Sequence, residues 1–191
     1  MVEKSPQWHR LKDLLRERSY ERRRVVLTSG RESHFYIDGK QTSLHPEGAY
    51  LIGKLFLHRL RSQGPEVRAV GGMTLGADPL VTAVAVVSHL EGHPLQAFII
   101  RKEPKTHGTG QWIEGRKHIP EGTPVAILED VVTTGGTTLR AIERAQMEGL
   151  RVVRVLALVD REEGGRERLG EAGFRLEALF RRSDLESPGP G

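Results

Sequence analysis

The chain has 191 residues, the size of one domain or of one core with a small appendage, and long enough to bury its own core without staples. It contains no cysteine, no stretch near the roughly 20 apolar residues of a membrane span, and a first 25 residues too charged for a signal peptide. Disulfides, thiolate sites and cysteine nucleophiles are excluded, a soluble cytoplasmic protein is expected, and the net charge of +4 gives only a modest pull on an anionic partner: nucleic acid, membrane surface or an acidic small molecule.

Residues 7–19 carry Trp8, Leu11, Leu14 and Leu15 at helical spacing with basic residues opposite. VVLTSG (25–30) and SHFYID (33–38) read as two short strands joined by a Gly-Arg turn. His45-Pro46-Glu47 opens a helix with proline in a tolerated first-turn position, its apolar stripe is Ile52, Leu55, Phe56 and Leu60, and Gly64-Pro65 ends it. From there the pattern is strand, glycine loop, helix, repeated. VRAVGG (67–72) is a strand. A helix follows from Asp78-Pro79 to about Leu90, although its valines leave a strand as a competitor. QAFIIRK (96–102) is a strand, and 103–118, polar and aperiodic, is a long loop. PVAILEDV (124–131) is a buried strand leading through TTGGTT into a helix with Leu139, Ile142 and Ala145 on one face. VVRVLALVD (152–160) is another buried strand, 164–173 a short helix, and FRLEALF (174–180) alternates like an edge strand. Near-continuous apolar strands alternating with helices predict an α/β fold, a mostly parallel central sheet flanked by helices, with ligands beyond the carboxyl ends of its strands.

The residues that suit chemistry fall at those ends. Glu129 and Asp130 close one strand, and Thr133-Thr134-Gly135-Gly136-Thr137-Thr138 leads straight into a helix. Backbone N–H groups at a helix start, with four threonine hydroxyls, suit a phosphate, and the acids could accept hydrogen bonds from a sugar diol. The plainer alternative is a structural turn capped by Asp130. Arg101, Lys102, Lys105 and His107 place four cationic groups in seven positions before a glycine run. They form either a mobile arm over an anion or a solvated loop. Gly71-Gly72-Met73-Thr74-Leu75-Gly76 allows close backbone approach to a diphosphate, or simply a tight turn. Arg161, after the strand ending at Asp160, can grip a carboxylate with two parallel hydrogen bonds or pair with a nearby acid. Neither a GxGxxG nor a GxxxxGKS/T motif occurs.

EDVVTTGGTT resembles the phosphoribosyl-diphosphate (PRPP) motif of type I phosphoribosyltransferases. Together with LTSGRES, GGMTLGAD, RKEPKTHGTG and LVDREEG, in that family's order from about residue 25 to 165, it resembles the branch that acts on orotate. The resemblance implies a type I phosphoribosyltransferase-like fold. Residues 1–45 would form an N-terminal helix and hood over the base, 46–182 the core, and 183–191 a disordered tail. It implies Mg²⁺-dependent transfer of the 5-phosphoribosyl group from PRPP to N1 of orotate, giving orotidine 5'-monophosphate and pyrophosphate in pyrimidine biosynthesis. Lys105 and His107 would lie on a flexible catalytic loop with Arg101 and Lys102 at its base, and Asp130 would be catalytic. PRPP contacts would come from Gly72, Thr74, Arg101, Lys102, Lys105, His107, Glu129, Asp130, Thr133, Thr134, Gly135, Gly136, Thr137 and Thr138. Orotate would meet Ser29, Arg31, Phe35, Thr134 and Arg161. Phe35 and Tyr36 point to opposite strand faces, so one of them at most faces the ligand. Mg²⁺ would be held mainly by PRPP, with Glu129 or Asp130 as its protein contact, and the loop would reach across a homodimer interface. Some members carry Tyr-Lys where this chain has Thr74-Leu75, and lysine where it has Thr28. A phosphoribosyltransferase for a purine or uracil shares the PRPP motif but lacks the LTSGRES hood and Lys/His loop, and a non-catalytic PRPP-binding regulator loses the loop. A nucleic-acid binder needs aromatic platforms, and aromatics are only 5% of the chain, so neither nucleic acid nor membrane is expected as a partner.

Overall fold

The computed structural model of the chain describes residues 5–21, 25–26, 32–33, 35–62, 64–104 and 111–186. Ser5 starts the first helix, α1 (Pro6–Arg18), by accepting the Trp8 N–H at 3.1 Å, and Pro6 sits where no backbone donor is needed. The predicted stripe of Trp8, Leu11, Leu14 and Leu15 is buried. Trp8 stacks on Phe180 at 4.8 Å and donates its indole N–H to the Leu179 carbonyl at 2.9 Å, which docks α1 on the sheet.

The N-terminal strands pair differently from the predicted single hairpin. β2 (Val25–Val26) pairs antiparallel with β3 (Glu32–Ser33), whereas β4 (Tyr36–Ile37) pairs with β1 (Tyr20–Glu21). SHFYID thus divides between two ribbons. A one-turn helix, α2 (Lys40–Ser43), follows and leads into α3 (Pro46–Ser62), whose stripe of Ile52, Leu55, Phe56 and Leu60 is buried as predicted.

Among the described residues six strands form the main sheet: β5 (Ala69–Met73), β6 (Gln96–Ile100), β7 (Ile113–Glu114), β8 (Pro124–Val132), β9 (Arg151–Asp160) and β10 (Leu176–Arg181). Their spatial order is β10-β9-β8-β5-β6-β7; all neighbours are parallel except β6 and β7. The helices α4 (Asp78–Leu90), α5 (Gly136–Met147) and α6 (Gly165–Glu171) fill the crossovers, and α4 is a helix despite its valines. Alternate residues of β8 feed two separate cores. Ala126 and Leu128 join the layer of α1, α3 and α4, while Val125 and Ile127 join that of α5 and α6. The predicted 103–118 loop is a partial miss. Ile113 and Glu114 form the antiparallel edge strand and Arg116–His118 a single 3₁₀ turn, elements too short to show periodicity. The predicted tail at 183–191 also begins too early, because α7 (Arg182–Glu186) buries Leu185. Among the described residues no helix is long and apolar enough to cross a membrane.

Charge is organised as pairs. Glu91 joins Lys54 and Arg61 at 2.6 and 2.5 Å. The deepest pair is Arg154 with Glu177, two parallel hydrogen bonds of 2.8 and 2.6 Å across β9 and β10. Arg154 Nη1 also donates to the Arg59 and Leu60 carbonyls at the end of α3. Removing one member of a buried pair strands the other, so Arg154→Met is expected to destabilise the protein by about 3–5 kcal/mol in urea unfolding. A loss below about 1 kcal/mol would show that this pair is energetically idle.

Candidate active site

The strand order reverses between β5 and β8, and a crevice opens beyond the carboxyl ends of strands at such a switch point. β8 is central and its residues Val125 to Leu128 are fully buried, so the acids that follow emerge from a dry strand. Glu129 is only 5% exposed. Its carboxyl accepts the Thr138 hydroxyl at 3.0 Å and hydrogen-bonds to Asp130. Burial, and then the neighbouring Asp130 charge, push Glu129 up to about 8. The buried pair therefore holds a proton at neutral pH. Burial pushes Asp130 up as well, against the Val131 N–H, which donates to it at 2.9 Å, and the charge of Lys40.

Asp130 lies against two glycines. A Cβ on Gly76 would sit 2.4 Å from its Oδ1, and one on Gly39 would sit 3.2 Å from its Cβ. Lys40, one residue on, pairs with Asp38 at 2.6 Å, and chiefly that hydrogen bond holds its ammonium above the usual lysine range. Asp38 and Lys40 thus border the acid pair. Nothing in their sequence context marked them, because they join the site only through the fold of the N-terminal ribbon and α2.

The Thr/Gly turn runs from the acid pair into α5. Gly135 takes φ +75°, a conformation open to glycine, and its carbonyl accepts the Leu139 N–H at 3.0 Å as the helix begins. Thr134 and Thr137 are exposed, Thr133 and Gly136 half-buried. Thr137 Oγ1 accepts from Arg140 at 3.2 Å. Thr138, expected on a phosphate, is instead buried with its hydroxyl on Glu129, so it braces the acid.

The turn after β5 holds Thr74, whose hydroxyl donates to Asp78 at 2.7 Å and whose N–H donates to the Ile100 carbonyl at 2.9 Å. Leu75 is 67% exposed, and neither residue carries a cationic side chain. Gly72, expected at the diphosphate, is buried inside β5. A Cβ there would meet the Leu128 carbonyl at 2.2 Å, so strand packing alone demands glycine. Arg101 is half-exposed past β6 and pairs with Glu114 at 3.0 Å, and Lys102 is exposed beside it. Ser29, Arg31, Lys105 and His107 lie outside the described residues.

Arg161 follows β9. Its N–H donates to the Val132 carbonyl at 2.9 Å, and its guanidinium, 6% exposed overall, lies on the Phe35 ring at 4.7 Å. Phe35 is buried, stacks on Tyr20 at 6.4 Å and also carries Arg182 at 4.8 Å, so it orients arginine rather than offering an open face to a base. Glu163 Oε1 approaches Arg161 Nη2 at 2.8 Å without hydrogen-bond alignment, and the buried Nε and Nη2 have no hydrogen-bond acceptor among the described residues. The nearby-acid pairing weighed from sequence is thus present but incomplete. The next residue, Glu162, has φ +59° and accepts the Ser183 N–H at 3.0 Å, tying this turn to α7.

A phosphate-suited turn, a carboxyl pair and a buried arginine thus lie along the carboxyl ends of parallel strands in one sheet. The family described as "Phosphoribosyl transferase domain" matches residues 45–173. Two curated relatives, each named orotate phosphoribosyltransferase, come from Sorangium cellulosum and a Nostoc species. They are 50% and 49% identical over 95% and 93% of this chain, and over 94% and 84% of their own lengths. A solved structure of Mycobacterium tuberculosis orotate phosphoribosyltransferase in complex with PRPP superposes with TM-score 0.78 at 35% identity, covering 95% of this chain and all of that one. The chain belongs to the type I phosphoribosyltransferase family, in its orotate phosphoribosyltransferase branch.

The acid pair sets a pH signature. Glu129 in the folded state releases its proton near 8, against 4.5 when unfolded, so the folded protein holds the extra proton between those values. The stability from that proton is complete below about 4.5 and is lost as pH rises through about 8. Thermal melts from pH 5 to 8 should show wild type losing stability relative to Glu129→Gln, and parallel curves would contradict the shift.

Proposed function

We propose that the protein transfers the 5-phosphoribosyl group from PRPP to N1 of orotate, releasing orotidine 5'-monophosphate and pyrophosphate as a cytoplasmic enzyme of pyrimidine biosynthesis. The observation that carries the orotate half is Arg161: a buried guanidinium over the Phe35 ring, beside the phosphate-suited turn, whose Nε and Nη2 have no hydrogen-bond acceptor among the described residues. Leaving buried charged donors unmet costs on the order of 1–3 kcal/mol, which a carboxylated base would recover through a bidentate pair.

In this reading the N–H groups of Thr133, Thr134, Gly135, Gly136 and Thr137 hold the 5'-phosphate at the start of α5. Asp130, with Glu129 bracing it, receives the ribose hydroxyls. Arg101 and Lys102, together with Lys105 and His107, face the diphosphate and stabilise charge as it leaves. No side chain is assigned as a base, because orotate can attack as its preformed ring-nitrogen anion. Rate then comes from positioning and from electrostatic support of an oxocarbenium-like transition state. Among the described residues no group of three or more His, Asp or Glu side chains could cage a metal. The hard oxygens of Asp130 would suit one flank of a Mg²⁺ ion carried on PRPP, which would neutralise diphosphate charge.

A homodimer belongs to the same proposal. Between Asp78 and His89 helix α4 has no charged residue, in a chain that is 28% charged, and its outer face exposes Val86 and Leu90 at 54% and 74%. Leu75, at its start, is exposed too. The outer face of α4 mixes exposed Val86 and Leu90 with Thr82 and His89, and a second copy would cover it beside the diphosphate turn.

Assayed with Mg²⁺, PRPP and a panel of bases, the protein should consume orotate. Turnover of hypoxanthine, guanine or uracil instead would redirect the assignment. Arg161→Ala should raise the orotate KM about 10- to 100-fold, the loss of one to two charge-assisted hydrogen bonds, while Lys105→Ala should lower kcat far more than PRPP affinity. Sedimentation should show a dimer that Val86→Glu weakens. Mixing inactive Lys105→Ala with inactive Asp130→Asn should restore up to roughly a quarter of the activity, because heterodimers carry one intact shared site. No recovery on mixing would place the loop in its own subunit.

A further inference from the structure

We infer that Arg144 is a positioning residue that holds Arg101 and Lys102 at the diphosphate end of the site. The inference rests on the transfer reading above. Arg144 lies on α5, the helix that starts at the phosphate-suited turn. Its Nη1 donates to the Arg101 carbonyl at 2.5 Å and its Nη2 to the Lys102 carbonyl at 3.0 Å. Nη1 also lies 3.4 Å from Met73 Sδ, just before the Thr74 turn. The guanidinium plane rests on the Trp112 ring at 4.0 Å, and the Trp112 carbonyl accepts the Arg101 N–H at 2.9 Å. One side chain therefore ties the end of β5, the end of β6 and the segment entering β7 to the phosphate helix. Five fixed donors on a planar fork allow this; an ammonium can satisfy the two carbonyls but cannot stack in the same way.

A role in folding alone would affect both substrates alike. A positioning role affects one. Arg101 and Arg161 follow β6 and β9, three strand spacings apart, or about 14 Å, so a change at the first should leave the base end untouched.

The test compares wild type, Arg144→Met and Arg144→Lys in steady-state kinetics, with PRPP binding measured separately by calorimetry, well below each protein's Tm. Wild-type turnover of PRPP and orotate is measured first, so a failure of the transfer reading appears in the parent and not in the variants. Arg144→Met should raise the PRPP KM and weaken PRPP binding about tenfold, with the orotate KM moving less than about twofold. Arg144→Lys should recover part of the loss, and it carries the test if the methionine variant does not fold. A PRPP KM that stays within about twofold of wild type, or that moves in step with the orotate KM, would overturn the role.

Discussion

Two adjacent carboxyls at the end of a fully buried strand impose the main constraint on this molecule. Burial raises both groups and the Asp130 charge raises Glu129 further, and the protein answers with a proton on the pair and the Lys40 charge near Asp130. Glu129 is pushed up to about 8, braced by Thr138, and hydrogen-bonded to Asp130. The surroundings then serve Asp130: the Val131 N–H, the Lys40 charge, and glycines at 39 and 76 that let backbone close around it. The first turn of α5, the turn after β5 and the N-terminal segment at α2 all meet at this pair, so its electrostatics and the fold's topology are one design.

The strand order spreads the chemistry into a line. Arg161 follows β9, the acid pair and phosphate turn follow β8, Thr74 follows β5, and Arg101 and Lys102 follow β6. An extended ligand with a base at one end and a diphosphate at the other can be read in that order along a single sheet edge. Parallel strands make this possible because every carboxyl end faces the same way.

Much of this was legible in the chain before folding, and for identifiable reasons. Strands β5, β8 and β9 announce themselves as apolar runs ended by glycine or acid, β6 as a shorter apolar run, and α1 and α3 by their stripes. The PRPP motif was legible because phosphate binding needs a contiguous strand, turn and helix. What escaped notice was non-local or short. Ile113–Glu114 is a strand only because β6 offers it an edge. SHFYID split because Tyr36–Ile37 found a partner at Tyr20–Glu21. Thr138 and Gly72 sit inside the right motifs, yet one hydroxyl turns inward to an acid and one missing side chain makes room for a carbonyl. Asp38, Lys40 and Arg144 carry no local mark at all. Phe35 was picked out for its ring, but its place beneath two guanidinium groups depends on a turn and a helix more than 120 residues away.

Gly76 shows what such close fitting means for sequence change. With Asp130 Oδ1 standing 2.4 Å from where a Cβ would be, any side chain at position 76 obliges the carboxylate to shift. The two residues lie 54 positions apart on different strand ends, yet the size of one sets the room for the other. A larger residue 76 would turn the Asp130 carboxylate away from its present place, so a change after β5 would be felt at the end of β8.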